Sequence, residues 1–232
     1  MKKILYLLFI GFAILESCSK KKDDTSDSSG LSQDIQNFVP QTLIDSMQTW
    51  GLVINKGKTP PMIDGVYNDS ANLCTFDNSS YNYTGDYFAN YHYKFHDQDN
   101  SKLTIELDYN DIYAGGSDSA SGAGSFISGT GNDFTVFTDV KGVTNGVNYE
   151  AITMYSGTIT NSGIKNLQYS FYMKDKGDDP DKKLIDVGSA RIFKDEDGFS
   201  EKLSNNDFRS AVLKGNNPKR LGLSAGKALP ER

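Results

Sequence analysis

Lys102-Leu103-Thr104-Ile105-Glu106-Leu107-Asp108-Tyr109-Asn110 decides the fold class. Leu103, Ile105, Leu107 and Tyr109 alternate with Thr104, Glu106, Asp108 and Asn110. Successive side chains of a strand point to opposite faces, so this stretch, read as a strand from Lys102 to Tyr113, has one buried face and one wet face. Upstream, Tyr87 to His96 repeats the pattern: Tyr87, Ala89, Tyr91, Tyr93 and Phe95 share one face, and Phe88, Asn90, His92, Lys94 and His96 the other. Further strands are predicted near 65–69, 73–76, 123–129, 133–140, 147–160, 164–174, 184–194 and 198–203. Asn132-Asp133, Asn161-Ser162-Gly163 and Asp195-Glu196-Asp197-Gly198 separate several of them, because Asn, Asp and Gly tolerate the positive φ of tight hairpins.

Roughly eight to ten consecutive strands with hairpin-length connections describe an antiparallel meander. The open edges of so large a sheet invite aggregation, so it must close or fold on itself. The expected fold is all-β, an up-and-down barrel, because long strands such as 147–160 suit a barrel better than the alternative, a two-sheet sandwich. One helix precedes it near 40–50. Pro40 opens this helix, Gly51 closes it, and Leu43, Ile44, Met47 and Trp50 form a single apolar stripe that packs on a sheet or plugs one end of the barrel. A turn-rich connection with Gly57 and Pro60-Pro61 follows. Ser204 to Leu213 is predicted to add a short helix through Phe208, Val212 and Leu213.

The order of helix, Pro-rich connection and Ile63-Asp64-Gly65-Val66-Tyr67 resembles the start of lipocalin-type (calycin) barrels, where Gly-x-aromatic begins the first strand. Tyr67 stands where lipocalins usually carry Trp, and the sole Trp, Trp50, belongs to the helix. The resemblance implies a lipocalin-like barrel and no reaction.

At the N-terminus, Met1-Lys2-Lys3 precedes an apolar run from Ile4 to Leu15 and then Glu16-Ser17-Cys18, the order of a secretory signal. The run is too short to span a bilayer, which takes about 20 apolar residues. Leu15-Glu16-Ser17-Cys18 resembles the lipobox of bacterial lipoproteins. That resemblance implies that residues 1–17 are a signal peptide and that Cys18 is acylated, making the membrane a partner through its acyl anchor. Ser19-Lys20-Lys21-Lys22-Asp23-Asp24 resembles the signal that sends Bacteroidota lipoproteins to the outer face of the outer membrane, which implies a cell-surface location. Residues 18–30 are expected to form a flexible tether, 31–215 a single β domain, and 216–232 a flexible tail. Residues 1 to about 200 resemble the uncharacterised Bacteroidota lipoproteins that join such a leader to a Pro-Pro connection and a β domain.

Loss of residues 1–17 removes two Lys and one Glu, moves the net charge from −6 to −7 and leaves 215 residues. An acidic domain of this kind is no partner for nucleic acid. Cys74 is then the one cysteine of the folded part, and its strand-like setting predicts a buried thiol.

No pattern of catalysis or cofactor binding emerges, so a non-enzymatic protein without a cofactor is expected. His92 and His96, the only histidines, would stand about 13 Å apart on one strand, too far for one metal ion, and with Lys94 they read as a solvent-facing row. No metal site is assigned. The acidic runs Asp175 to Asp181 and Lys194 to Glu201 offer carboxylates to Ca²⁺ but coincide with predicted turns. Gly115 to Gly124 lacks the Lys and the helix of a phosphate loop and reads as a mobile hairpin loop. The crowd of tyrosines is the remaining pointer to function. Tyrosine offers an apolar ring with a hydrogen-bonding tip, so Tyr87, Tyr91, Tyr93, Phe95 and Tyr109 are the candidate ligand-binding residues. The expected function is binding of a small hydrophobic or amphipathic ligand, or a glycan fragment. The alternative is a structural or protein-interaction lipoprotein whose barrel is filled by side chains.

Overall fold

The computed structural model of the chain describes residues 30–112 and 118–211. Two short helices, α1 (Gln33–Phe38) and α2 (Gln41–Thr49), precede eleven strands, and α3 (Asn205–Ala211) follows them. The strands are β1 (Lys58–Thr59), β2 (Gly65–Asp69), β3 (Asn72–Asp77), β4 (Tyr91–Asp99), β5 (Thr104–Asp111), β6 (Asp118–Thr130), β7 (Asp133–Thr144), β8 (Val147–Ile159), β9 (Gly163–Lys176), β10 (Ala190–Asp195) and β11 (Phe199–Leu203). The protein is all-β in class, as the alternation predicts.

One sheet holds all eleven strands, ten in the order β11-β2-β4-β5-β6-β7-β8-β9-β10-β3 with β1 beside β6, and β11 also pairs with β9, which joins eight of them in a ring. The registers explain why eight suffice. β9 runs antiparallel to β10 along Gln168–Tyr172 and to β11 along Gly163–Lys165, so β10 and β11 are two halves of one path broken at residues 196–198. β2 and β3 pair with those halves in matching register and are likewise one path, broken at Ser70 and Ala71. The Glu196 N–H donates to the Ala71 carbonyl across the two breaks at 2.9 Å. Each path thus pairs with its neighbour in sequence, and the last pairs with the first.

Turn chemistry fixes this order locally. β7 and β8 are joined by Asn145-Gly146, both at positive φ, the two-residue turn whose twist matches that of the flanking strands. Gly122 and Gly124 lie within β6, not in a loop; there the β6–β7 register shifts between Ser121 and Phe126, and a Cβ on Gly122 would stand 2.1 Å from Thr138 Oγ1. Gly122 therefore serves close strand approach and Gly124, at φ +76, the irregular backbone, while residues 115–117 of the predicted loop lie outside the described residues. The predicted strand at 184–194 shortens to β10, because Gly188 (φ +87) makes the turn that swings the chain back onto β9. Leu103 also leaves the strand face: at φ +56 it belongs to the turn before β5.

The core divides in two. Inside the ring lie the inward residues of every path, among them Tyr67, Tyr93, Phe95, Leu107, Phe134, Tyr155 and Phe171. Outside it, α1 and α2 cover Phe137, Ile152, Met154, Ala190 and Ile192 with Leu31, Ile35, Val39, Ile44 and Met47. The α2 stripe thus packs on the outer face of the sheet and does not plug an end. Trp50 stacks on Phe76 with ring centroids 4.6 Å apart. α1 was not predicted; Ser32 caps it by accepting from the Ile35 N–H. α3 begins as expected, but Val212 and Leu213 lie outside the described residues. Among the described residues no helix is long and apolar enough to cross a membrane.

Candidate functional site

The interior of the ring is built from tyrosines that alternate inward on four paths. Tyr91, Tyr93 and Phe95 come from β4, Tyr109 from β5, Tyr149 and Tyr155 from β8, and Tyr169 from β9. Tyr93 meets the rings of Tyr155 and Tyr169 edge-on at 5.0 and 5.6 Å, and Phe95 meets Tyr155 at 5.8 Å. Edge-to-face contacts of this kind add to what burial alone contributes.

Each buried hydroxyl needs a partner, and two carboxylates are placed to supply them. Asp118 accepts from Tyr91 (2.7 Å) and from Tyr149 (3.2 Å), and Tyr149 meets Tyr109 at 2.5 Å. On the other side Tyr93 reaches Asp69 at 3.5 Å, and the Asn72 amide donates to Tyr169 at 2.7 Å. Burial pushes these hydroxyls well above the usual phenol range, helped by the charge of Asp118 at Tyr91 and Tyr149 and of Asp69 at Tyr169. Burial also raises Asp69, and the nearby Asp195 adds to the effect. The result is a cluster of neutral phenols with no phenolate to act as nucleophile. The space left between Tyr91, Tyr93, Tyr109, Tyr155, Tyr169 and Asp118 is about 10 Å³. That is at most the room of one water, against the roughly 300 Å³ at which ligand pockets begin.

Beside the tyrosines sits a second buried polar element. Arg191 Nε donates to Asp77 Oδ2 at 2.9 Å, with both side chains fully buried, and the guanidinium lies over the rings of Tyr83 and Phe88 at 5.1 and 5.2 Å. Asp77 also accepts from the backbone N–H groups of Ser79 and Tyr83.

No protein family, curated protein or solved structure matches this chain. Its chemistry therefore rests on its own geometry.

Of the five ligand-binding candidates, Tyr91, Tyr93, Phe95 and Tyr109 converge, but as packing and not as the wall of an open cavity, because Tyr149, Tyr155 and Tyr169 fill the space they face. Tyr87 stands apart on the outer surface, half exposed, with its hydroxyl on Glu196. Cys18 lies outside the described residues. Cys74 is buried as expected, and burial pushes its thiol up to about 12. His92 does not face solvent: it is buried at the β2–β4–β5 surface beside α3, and that burial lowers its pKa against the pull of Asp207. The two acidic runs are occupied as turns. Asp179 accepts from the N–H groups of Lys183 and Leu184 and pairs with Lys176, while Asp195 accepts from Ser200.

Sequence reasoning missed Tyr149, Tyr155 and Tyr169, although Tyr149 and Tyr155 share parity with Val147 and Ala151 on the buried face of β8. Asp69, Asn72 and Asp118 were missed for a physical reason: a lone carboxylate or amide in a strand reads as wet, and only the closed ring brings it a tyrosine.

Among the described residues, four clefts of small-molecule size lie on the outside, with volumes of about 450, 470, 550 and 620 Å³. The first lies at one end of the ring, between Lys141, Val143, Glu150 and Lys176.

Proposed function

We propose that the ring is a lipocalin-like up-and-down barrel with a filled interior, carried by a lipid anchor at Cys18 on the outer membrane, and that it acts as a structural or protein-interaction module through its outer surface. The unbroken antiparallel pairing from the first path round to the last supports a barrel over a two-sheet sandwich. The observation that carries the functional reading is that only about 10 Å³ is left among the interior tyrosines and Asp118. A protein that holds a small hydrophobic molecule in its barrel needs a calyx, and here side chains occupy that place. What remains for recognition is the exterior.

The experiment is native mass spectrometry and cross-linking of the protein purified from its host membranes. The expected result is a chain with acylated Cys18, no co-purifying small molecule, and reproducible cross-links to another envelope protein. A stoichiometric lipid or sugar on the domain overturns the reading. Cys18→Ala should release the protein from membranes, and persistent attachment counts against the anchor.

A second reading is favoured by one observation. The cleft at the end of the ring, about 450 Å³, is lined by charges of both signs, Lys141, Glu150, Asp175 and Lys176, with the apolar Val143 beside them. A glycan fragment, which offers hydroxyls to the charges and C–H faces to the apolar lining, fits such a mixed cleft. Titration with oligosaccharides tests this, with Lys176→Ala expected to abolish any binding seen.

A further inference from the structure

His96 and Glu106 stand directly opposite each other on β4 and β5. The next residue, Asp97, would point to the other face in a regular strand. It does not, because the β4–β5 pairing is interrupted between His96 and Asp99, and Asp97 there adopts φ +54. Its carboxylate turns back to lie 2.6 Å from His96 Nδ1. One donor atom from each of His96, Asp97 and Glu106 lies within 4.8 Å of the others. A tetrahedral Zn²⁺ with nitrogen and oxygen ligands near 2.1 Å separates those ligands by about 3.3 Å. Small side-chain shifts close that difference, and the Asp97 side chain, 76% exposed, is unhindered in making them.

The far nitrogen of the ring supplies an independent argument. His96 Nε2 lies 3.1 Å from Asp108 Oδ2, which also faces Lys94 Nζ at 3.8 Å. A metal-bound imidazole usually gives its other N–H to a carboxylate, which fixes the tautomer and aims the lone pair at the ion. With the proton on Nε2 and donated to Asp108, Nδ1 keeps its lone pair for an ion on the side where Asp97 stands. His92 is not in this group; cross-strand register and the bulge bring carboxylates to His96 in its place.

We propose that His96 Nδ1, Asp97 and Glu106 form a surface site for a divalent first-row transition metal, Zn²⁺ being the ion to test, with Asp108 positioning the imidazole. One nitrogen and two carboxylates suit such an ion, whereas Ca²⁺ asks for six to eight oxygens. The remaining coordination position faces solvent and is filled by water.

Isothermal titration of tag-free protein with ZnCl₂ tests the site. The expected result is one Zn²⁺ per chain, weakened at least tenfold by His96→Ala and by Glu106→Gln, and by tenfold or more in Asp108→Asn. His92→Gln should leave the affinity unchanged. In the wild type, the ¹⁵N resonance of His96 Nδ1 should move on Zn²⁺ addition by far more than that of Nε2, a readout that does not depend on any variant folding. The proposal is overturned if the wild type takes up no Zn²⁺, if Glu106→Gln and Asp97→Asn both bind as tightly as wild type, or if Nε2 is the nitrogen that responds.

Discussion

Asp77→Ala removes one half of an ion pair that has no access to water. The Asp77 and Arg191 side chains are both fully buried, at 2.9 Å. Removing one partner of such a pair leaves the other charged and desolvated, which costs about 3–5 kcal/mol. The Ser79 and Tyr83 N–H groups lose their acceptor as well. Urea unfolding followed by tyrosine fluorescence should therefore show a midpoint lowered by about 1–3 M, taking about 4 kcal/mol over an m-value of about 2 kcal/mol/M. Lys141→Ala is the control: its pair with Glu150 is 74% exposed on the Lys side, and such pairs contribute about 0–1 kcal/mol. Burial alone would raise the Asp77 carboxyl, but the Tyr83 and Ser79 N–H groups and Arg191 outweigh it and hold the group below its ordinary value. A depressed carboxylate contributes stability that is present above its unfolded pKa, about 3.9, and is lost as pH falls through the lower folded value. The gap between wild type and Asp77→Asn should thus be constant from pH 7 down to about 5 and narrow below pH 4. A loss of under about 1 kcal/mol in Asp77→Ala, or a gap that widens in acid, would refute the reasoning.

Met47→Ala should destabilise the protein by about 2–5 kcal/mol, since Met47 is fully buried between α2 and the sheet, and calorimetric melting measures it. Trp50, the only tryptophan, should report the same docking: its emission should shift red in Met47→Ala as the Trp50–Phe76 stack loosens. Gly129→Ala should lower stability by about 1–3 kcal/mol, because a Cβ there would stand 2.1 Å from the Asp133 carbonyl oxygen, which is backbone and does not yield. In alkaline titration, burial and neighbouring carboxylates hold Tyr91, Tyr149 and Tyr169 neutral in the fold, so their stabilisation is complete below the unfolded pKa of about 10 and is lost above it. Phenolate absorbance should accordingly rise in one cooperative step together with loss of β-sheet circular dichroism, and smooth titration of all tyrosines with the fold intact would count against a closed interior.

The class of the fold was legible because alternation is a local property. Ile105, Leu107 and Tyr109 point inward whatever stands opposite them. The ring itself was legible only through counting strands, since its closing registers join residues as far apart as Val66 and Leu203. What alternation leaves open is the contents of the interior. Tyr93 has the same periodicity whether it lines a cavity or fills one; the difference lies with Tyr155 and Tyr169, which the chain brings up more than 60 residues later. The outer helices were half legible. The α2 stripe showed that it must pack, but the partner surface of Phe137, Ile152 and Met154 sits in strands whose apolar residues on both faces blur the alternation. The His96 cluster was hidden for the opposite reason, because it depends on one residue, Asp97, breaking the period.

The placement of the first described residues shows at which end the chain enters the ring. Gly30 accepts from the Gly57 N–H at 3.1 Å, and the following β1 pairs with Gly129 and Thr130, so the tether leaves at the end of the ring where β6 turns into β7. β7 then runs to its other limit at Thr144, and the Asn145-Gly146 turn and Gly177 meet there, beside the cleft of Lys141, Glu150 and Lys176. The chain thus enters at the β6–β7 end, which under the proposed anchor at Cys18 is the tethered end, and the charged cleft lies at the opposite, distal end. The distal end is also where the interior carboxylate Asp118 begins β6, so the polar part of the filled core lies beneath the face available to partners. A partner meeting this face would press on a region braced by the hydrogen bonds of Tyr91 and Tyr149 to Asp118, and not on an opening into the barrel. Under the proposed function, the filled interior and recognition by the outer surface go together, because the packed tyrosines and Asp118 leave a braced surface at this end in place of an opening.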